Sequence, residues 1–252
     1  MFKILFSFFR SLGKVNGNFS SSSFKNLYKS SKFIYQKPAL VSLHNSLIEV
    51  NENIYKFYKK LDYGSGYFYQ SYESLGIFGI RSTEERINSL NLNKYIVDRN
   101  VLDIGSNSGF FSLSLAAKAN NIVGIEPNNF LNQQANLVKK YLNIDNVEFI
   151  TTKFENFTSE KMFDTILSFA NHSTYDGETE FSLEEYFSKV SELLSTTGFM
   201  IFESHHPKIE KDFFKVQKVI ENYFEIVDKK ICESENFYDD GRTWIVAKVK
   251  KS

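Results

Sequence analysis

From residue 100 onward the chain alternates between two kinds of segment, and this alternation restricts the fold more than any other feature. Val101–Ile104 is a short apolar run of the buried-strand type, and Ser108–Lys118 carries a Phe, Leu and Ala face at helical spacing. Ile122–Ile125 and Phe130–Tyr141 repeat the pair. Val147–Ile150, Phe163–Phe169 and Phe199–Glu203 predict further strands, with Leu183–Leu194 helical between the last two. Residues 208–223 read as a helix, and 224–233 and 243–249 as closing strands. Parallel strands need crossover connections, and helices in those crossovers cover the sheet. The expected fold is therefore α/β: a mostly parallel seven-stranded sheet with helices on both faces. The last two strands follow one another without a helix, so they pair as a hairpin and leave an antiparallel edge strand.

The first third of the chain reads differently. Residues 16–32 are rich in Ser, Asn and Lys and read as a loop. Leu40, Leu43, Leu47, Val50, Ile54, Phe57 and Leu61 recur at spacings of three and four, one face of an amphipathic helix with Pro38 at its start. Tyr63–Tyr72 is aromatic and turn-forming, and Ser82 or Thr83 caps a helix that begins at Thr83-Glu84-Glu85-Arg86. The expected division is a basic arm and helical extension over 1–74, then the α/β domain over 75–252.

Charge is unevenly spread along a chain that is neutral overall. Residues 1–48 hold seven Lys or Arg and no acid, so the remainder carries seven more acidic than basic residues. The basic arm reads as a solvated segment or as a binder of an anionic partner. The single cysteine, Cys232, excludes an intrachain disulfide and fits a reducing, cytoplasmic setting. The apolar opening MFKILFSFFRSLGKV is broken by Lys3 and Arg10 and falls short of the about 20 residues that span a bilayer. It predicts no transmembrane segment and no signal peptide, and leaves an interfacial or packing helix.

The run Val101-Leu102-Asp103-Ile104-Gly105-Ser106-Asn107-Ser108-Gly109-Phe110-Phe111 carries the chemistry. A buried strand ends in an acid, and a Gly-x-x-x-Gly turn opens a helix. Glycines there permit positive φ and let a ligand lie against the backbone at the helix start. The dinucleotide pattern would need glycine at 107, where the chain has Asn107, so a pyrophosphate cradle is disfavoured. The next strand ends at Glu126-Pro127. A carboxylate at that distance suits a ribose diol, two acceptor oxygens meeting two hydroxyl donors.

These residues resemble motif I and the ribose-binding acid of the class I, Rossmann-like S-adenosylmethionine-dependent methyltransferases, over roughly residues 75–250. The resemblance implies a methyltransferase with S-adenosylmethionine as cofactor. It places Gly105, Ser106 and Gly109 at the methionine part, with Asp103 beneath and Asn107 and Phe110 in the same turn. Glu126 takes the ribose, and Pro127 sits beside the ring. Lys153 and Phe154 fall at the adenine-flanking position, where the family often has an acid, and Ser168 joins the cofactor set. Upstream, Tyr69-Gln70-Ser71 and Arg81–Arg86 resemble the lead-in of a smaller group, which includes the tRNA wobble-uridine carboxymethyltransferase and glycan- or metabolite-modifying methyltransferases. There Tyr69, Gln70 and Arg81 would contact the cofactor's amino-acid end; the alternative is that they cap the helix and pack the aromatic residues.

On the acceptor side, His172 follows the strand 163–169, and His205 and His206 follow 199–203. Those strand ends border the acceptor pocket of such a fold. A hydroxyl acceptor must lose a proton, and histidine titrates near neutrality. His172 or His205 is the expected general base, with Glu203 orienting it. Strand-end clusters also bind metals, but His172, His205, His206, Glu203 and Asp176 show no tight ligand spacing, and no metal is expected. Asp239-Asp240-Gly241-Arg242 reads as a turn, with Arg242 the alternative contact for an anionic substrate group.

The leading expectation is O-methylation of a small molecule, a sugar or a nucleotide-linked glycan precursor, as in polysaccharide biosynthesis. Neutral charge and the lack of an added nucleic-acid module disfavour a polyanion. tRNA modification with the basic arm tracking phosphates is the second reading. A cofactor-binding module serving a partner through the helix 40–61 is the third, and the histidines speak against it.

Overall fold

In the computed structural model, residues 21–58, 68–173, 179–234, 236 and 239–250 are described. The opening segment 1–20, Leu61 and the rest of 59–67, and Asp176 lie outside the described residues. The helices are α1 Ser21–Gln36, α2 Val41–Tyr58, α3 Thr83–Ser89, α4 Asn93–Ile96, α5 Phe110–Leu115, α6 Asn129–Leu142, α7 Leu183–Leu193 and α8 Phe213–Tyr223. The strands are β1 Asn100–Ile104, β2 Asn121–Ile125, β3 Val147–Ile150, β4 Phe163–Phe169, β5 Leu194–Glu203, β6 Phe224–Ile231 and β7 Thr243–Val249. They form two compact units. One is drawn from Met1–Asn91, Asn107–Ser114 and Asn129–Ile144, the other from Leu92–Ser106, Leu115–Asn128 and Asp145–Ser252.

The second unit holds the sheet, in the order β3-β2-β1-β4-β5-β7-β6. β1 through β5 pair in parallel, and β7 runs antiparallel to both β5 and β6. The expected seven-stranded, Rossmann-like sheet with antiparallel pairing at one edge is present. The reversed strand is β7, set one place in from the outermost strand β6. Leu102, Ile104, Ile166, Met200, Phe202 and Ile245 are buried from the strands, and Phe187, Val190, Val216 and Ile220 of α7 and α8 are buried in the same cluster. Ser182 starts α7 with a reciprocal capping box to Glu185, which satisfies backbone donors the helix cannot pair itself. β5 begins at Leu194 rather than Phe199, because buried Leu194 pairs with Phe163 across an irregularity in the ladder.

The expected helix over 208–223 begins only at Phe213. The His206 carbonyl accepts from the N–H groups of Ile209 and Glu210, forming a turn, and Asp212 then caps α8 through Lys215 N–H. The turn places Glu210 outside the helix.

In the first unit, α2 packs on α6 through Val50, Ile54 and Leu131. Phe57, expected on the apolar face of α2, is 71% exposed, and its ring meets Tyr58 and Phe130 at the edge of that packing. Ser82 is the N-cap of α3, accepting from Glu85 N–H. Residues 21–32, read as loop, are helical. Leu27, Ser30 and Ile34 lie three and four apart and are all buried, a spine on which the small Ser30 hides the periodicity by being polar. Its hydroxyl accepts from Phe78 N–H at 3.3 Å.

Candidate functional site

In the sheet unit the carboxyl ends of β1 and β2 lie side by side, with Asp103 opposite Gly124 and Ile104 opposite Ile125. Asp103 and Glu126 are both buried. Ser106 N–H donates to Ile125 O at 3.0 Å, and Glu126 N–H to Ile150 O at 3.1 Å, so the turn after each strand is tied to the strand beside it. Glu126 Oε1 accepts from Asn128 N–H at 3.0 Å, while Pro127 is exposed. Gly105 sits at φ +65°, and a Cβ there would come within 3.0–3.2 Å of the Asn171 side chain. Glycine is thus required twice over, by conformation and by a close neighbour.

That neighbour was not legible in the sequence. Asn171 donates from Nδ2 to Ile104 O, and its Oδ1 accepts from Tyr186 Oη at 2.6 Å and Ser168 Oγ at 3.0 Å. Ser168 and Tyr186 share a further hydrogen bond at 2.8 Å. Ser168, expected in the cofactor set, is fully buried in this network. Burial pushes the Tyr186 phenol well above its ordinary value, so it remains a donor at every physiological pH. Ala170 turns the chain toward Asn171 at φ +55°, a left-handed conformation disfavoured for any residue with a Cβ. Ala170→Gly is expected to stabilise the fold by about 0.5–1 kcal/mol, read by chemical denaturation. A loss of stability would show that the bend carries no strain.

Lys153 forms an ion pair with Glu180 at 3.0 Å. Phe154 is buried, its ring 5.0 Å from that of Tyr186. The two residues expected to flank an adenine are thus one ion-paired side chain and one core aromatic.

The helical unit contains the rest of the Gly-rich run. Asn107 is at φ +55° and Gly109 at φ +69°, the first tolerated because asparagine enters this region more readily than other side chains. Asn107 Oδ1 accepts from Ser108 N–H at 2.7 Å, Ser108 Oγ donates to Gln134 at 2.7 Å, and Gln134 donates to Asn51 at 2.6 Å. Gln70 Oε1 accepts from Phe110 N–H at 3.2 Å and so caps α5. Phe110 is buried beside Phe68 and Tyr72. Arg81 is buried and donates to Tyr69 Oη at 3.3 Å, with its guanidinium 5.9 Å from the Tyr69 ring centre. Gln70 thus caps α5, and Arg81 packs against Tyr69.

The expected convergence of histidines occurs in the sheet unit. His172 and His205, at the ends of β4 and β5, have ring centres 4.8 Å apart. His206 accepts on Nδ1 from Lys208 N–H at 3.1 Å and shapes the turn. The carboxylate against His172 is that of Glu210, with Oε1 2.6 Å from Nε2. Glu203, expected to orient a histidine, accepts from Arg242 Nη1 at 3.0 Å. Arg242 follows the expected turn, where Gly241 at φ +73° lets the chain pass Pro207, and its guanidinium points inward to Glu203 and the Ser204 carbonyl. Burial, and next the charge of His172, hold the His205 imidazole down at about 4, against the opposing pull of Glu210 and the Ser173 carbonyl. His205 is therefore neutral at pH 7. Burial works against the Glu210 carboxylate, but hydrogen bonding and charge from His172, together with His205, keep its pKa below the usual range. Among the described residues no group of three or more His, Cys, Asp or Glu side chains is arranged to hold a metal ion.

Residues 97–250 match the profile of the family described as a methyltransferase domain. The chain belongs to that family. It is a methyltransferase, on a Rossmann-like fold. No curated protein matches the methyltransferase in sequence. Among solved structures it is similar to the N-methyltransferase NodS from Bradyrhizobium japonicum WM9, with TM-score 0.56 and 16% identity over 66% of this chain and 94% of that one. NodS in complex with S-adenosyl-L-homocysteine gives TM-score 0.55 and 16% identity over 67% and 87%. The protein PH0226 from Pyrococcus horikoshii OT3 gives TM-score 0.54 and 19% identity over 66% and 91%. At such identities the likeness is one of fold. Two buried carboxylates ending adjacent parallel strands, with a positive-φ glycine between them in sequence, suit a ligand that offers hydroxyl and ammonium donors. Among the described residues no helix is long and apolar enough to cross a membrane.

Proposed function

We propose that this methyltransferase transfers a methyl group to a hydroxyl oxygen of a small molecule, a sugar or a nucleotide-linked glycan precursor. The observation that carries this reading is the buried His172–His205–Glu210 cluster at the ends of β4 and β5. A hydroxyl is a poor nucleophile until its proton is taken, and a histidine paired with a carboxylate is suited to take it. When bound, S-adenosylmethionine would supply an electrophilic methyl carbon on a sulfonium, with a neutral thioether as the leaving group.

In the sheet unit, Glu126 would accept from the ribose hydroxyls, and Asp103, Gly105 and Ser106 would border the methionine part. Pro127, Lys153, Phe154 and Ser168 complete that set by resemblance. In the helical unit, Asn107, Gly109, Phe110, Tyr69, Gln70 and Arg81 are assigned by resemblance alone. On this reading residues 1–74 are an accessory extension and 75–252 the catalytic domain, and the enzyme works in the cytoplasm in glycan or metabolite modification.

Calorimetry with S-adenosylhomocysteine tests the cofactor half. Glu126→Ala removes charge-assisted acceptors worth roughly 1.5–3 kcal/mol each, so a weakening of about 100-fold is expected. Unchanged affinity in a folded variant would remove Glu126 from the site. Label transfer to a panel of sugars and nucleoside-diphosphate sugars tests the acceptor half, and methylation of amines alone would overturn it.

One observation favours an RNA acceptor as the second reading. Lys25, Tyr28, Lys29, Lys32 and Tyr35 are exposed along one face of α1, charges for phosphates beside rings for bases. Salt-dependent tRNA binding that disappears when the three lysines become alanine would favour it.

A further inference from the structure

We infer that Glu210 is the positioning residue that makes His172, and not His205, the base of the proposed transfer. This rests on the hydroxyl-acceptor reading above. Three observations within the sheet unit carry it.

The first is the direction of the short hydrogen bond. Glu210 Oε1 lies 2.6 Å from His172 Nε2, and an ionised carboxylate can only accept. The proton must therefore sit on Nε2. A neutral imidazole protonated there keeps its lone pair on Nδ1. Glu210 cannot easily turn away, because its other oxygen accepts from His205 N–H at 3.0 Å.

The second is the state of Nδ1 itself. It is buried and has no hydrogen-bond partner among the described residues. Leaving a buried acceptor unmet costs on the order of 1–3 kcal/mol, which a folded core rarely tolerates without use. The ring is fixed as well, packed against Phe202 at 4.9 Å, His205 at 4.8 Å and Phe187 at 6.4 Å between centres. An unmet lone pair on an immobilised ring fits a donor that arrives with the substrate.

The third is the contrast with His205. Its Nε2 faces the Ser173 carbonyl at 2.7 Å, and a carbonyl too only accepts. The Nε2 proton of His205 is thus committed to the backbone. With its basicity depressed to about 4, it is a weak proton acceptor near neutrality. The two rings look alike in sequence, yet only one has both an ionised partner on Nε2 and an unmet acceptor on Nδ1.

In the step assigned to these residues, the acceptor O–H bond breaks as Nδ1–H forms, and the oxygen takes the methyl group. The imidazolium so made is stabilised across the 2.6 Å contact by Glu210 and then returns its proton to water.

The test reads the tautomer directly. The chain has four histidines, so long-range proton–nitrogen spectra of histidine-labelled protein are assignable by single substitutions. In its neutral form, wild-type His172 is expected as the Nε2–H tautomer. Glu210→Ala should lose that preference and lower kcat roughly 100-fold with little change in KM, measured on the sugar and nucleotide-sugar panel. Glu210→Gln keeps a carbonyl acceptor, and should retain the tautomer and recover part of the rate. An Nδ1–H tautomer in wild-type protein, or a folded Glu210 variant with undiminished kcat, would overturn the proposal. If the tautomer is as expected but only nitrogen acceptors are methylated, the hydroxyl reading falls while control of His172 by Glu210 stands.

Discussion

Arg242→Met is expected to destabilise the methyltransferase by about 3–5 kcal/mol, lowering the melting temperature by roughly 6–20 °C. The reason is its partner. Glu203 is fully buried on β5, and Arg242 Nη1 lies 3.0 Å from its carboxylate. Removing the cation leaves a charge with no solvent to receive it, a far larger penalty than losing a surface ion pair. The lost hydrogen bond to the Ser204 carbonyl, 2.8 Å long, adds to the deficit. The double variant Arg242→Met with Glu203→Leu removes both charges and should recover most of the loss. Urea denaturation of the three proteins gives the answer. A single variant within 1 kcal/mol of wild type would mean that Glu203 is neutral or otherwise compensated.

The second large effect is acid lability. The His205 pKa is about 4 in the folded protein, below the ordinary histidine value of 6.5. A basic group depressed in this way binds fewer protons folded than unfolded between those two values. Its contribution to stability is whole above about pH 6.5 and is lost as pH falls toward 4, on the order of 3 kcal/mol at most. His44 moves the same way, its imidazole buried against the Leu75 carbonyl and its pKa lowered by that burial. Glu210 has a depressed carboxyl, so its contribution holds above the ordinary carboxylate pKa and is lost as pH falls through its lower folded value. All three act in one direction. The melting temperature should fall steadily from pH 7 to pH 4.5, and His205→Gln should flatten the part of the fall above pH 5. Parallel profiles for wild type and variant would show that His205 does not control it.

Much of the sheet was legible in the sequence because its signals are local. Val147–Ile150, Phe163–Phe169 and Thr243–Val249 are apolar runs bounded by polar or turn-forming residues, and each folds as the strand expected. Gly105 and Gly109 also announced their positive φ. What failed to show was held by partners far along the chain. Glu210 meets a histidine 38 residues away, and within an expected helix it looked like a solvated acid. Asp212 was the available signal, since a capping residue there ends the turn that frees Glu210. Asn171 reads as an ordinary loop residue, and only the fold brings it to the β1 terminus, 67 positions upstream. α1 was hidden by composition: its serines and lysines look loop-like, although Leu27, Ser30 and Ile34 keep strict helical spacing.

The place of β7 between β5 and β6 has a consequence for how the protein is made. Strands consecutive in sequence are usually neighbours in a sheet, but here the last of these seven fills an interior position. Until Thr243–Val249 is available, one side of β5 stays open, and Arg242 has not yet reached Glu203. Completion of the sheet and neutralisation of its deepest acid are therefore a single late event. A nascent chain short of that point cannot yet hold the β5 terminus, and the histidine beyond it, in its finished arrangement.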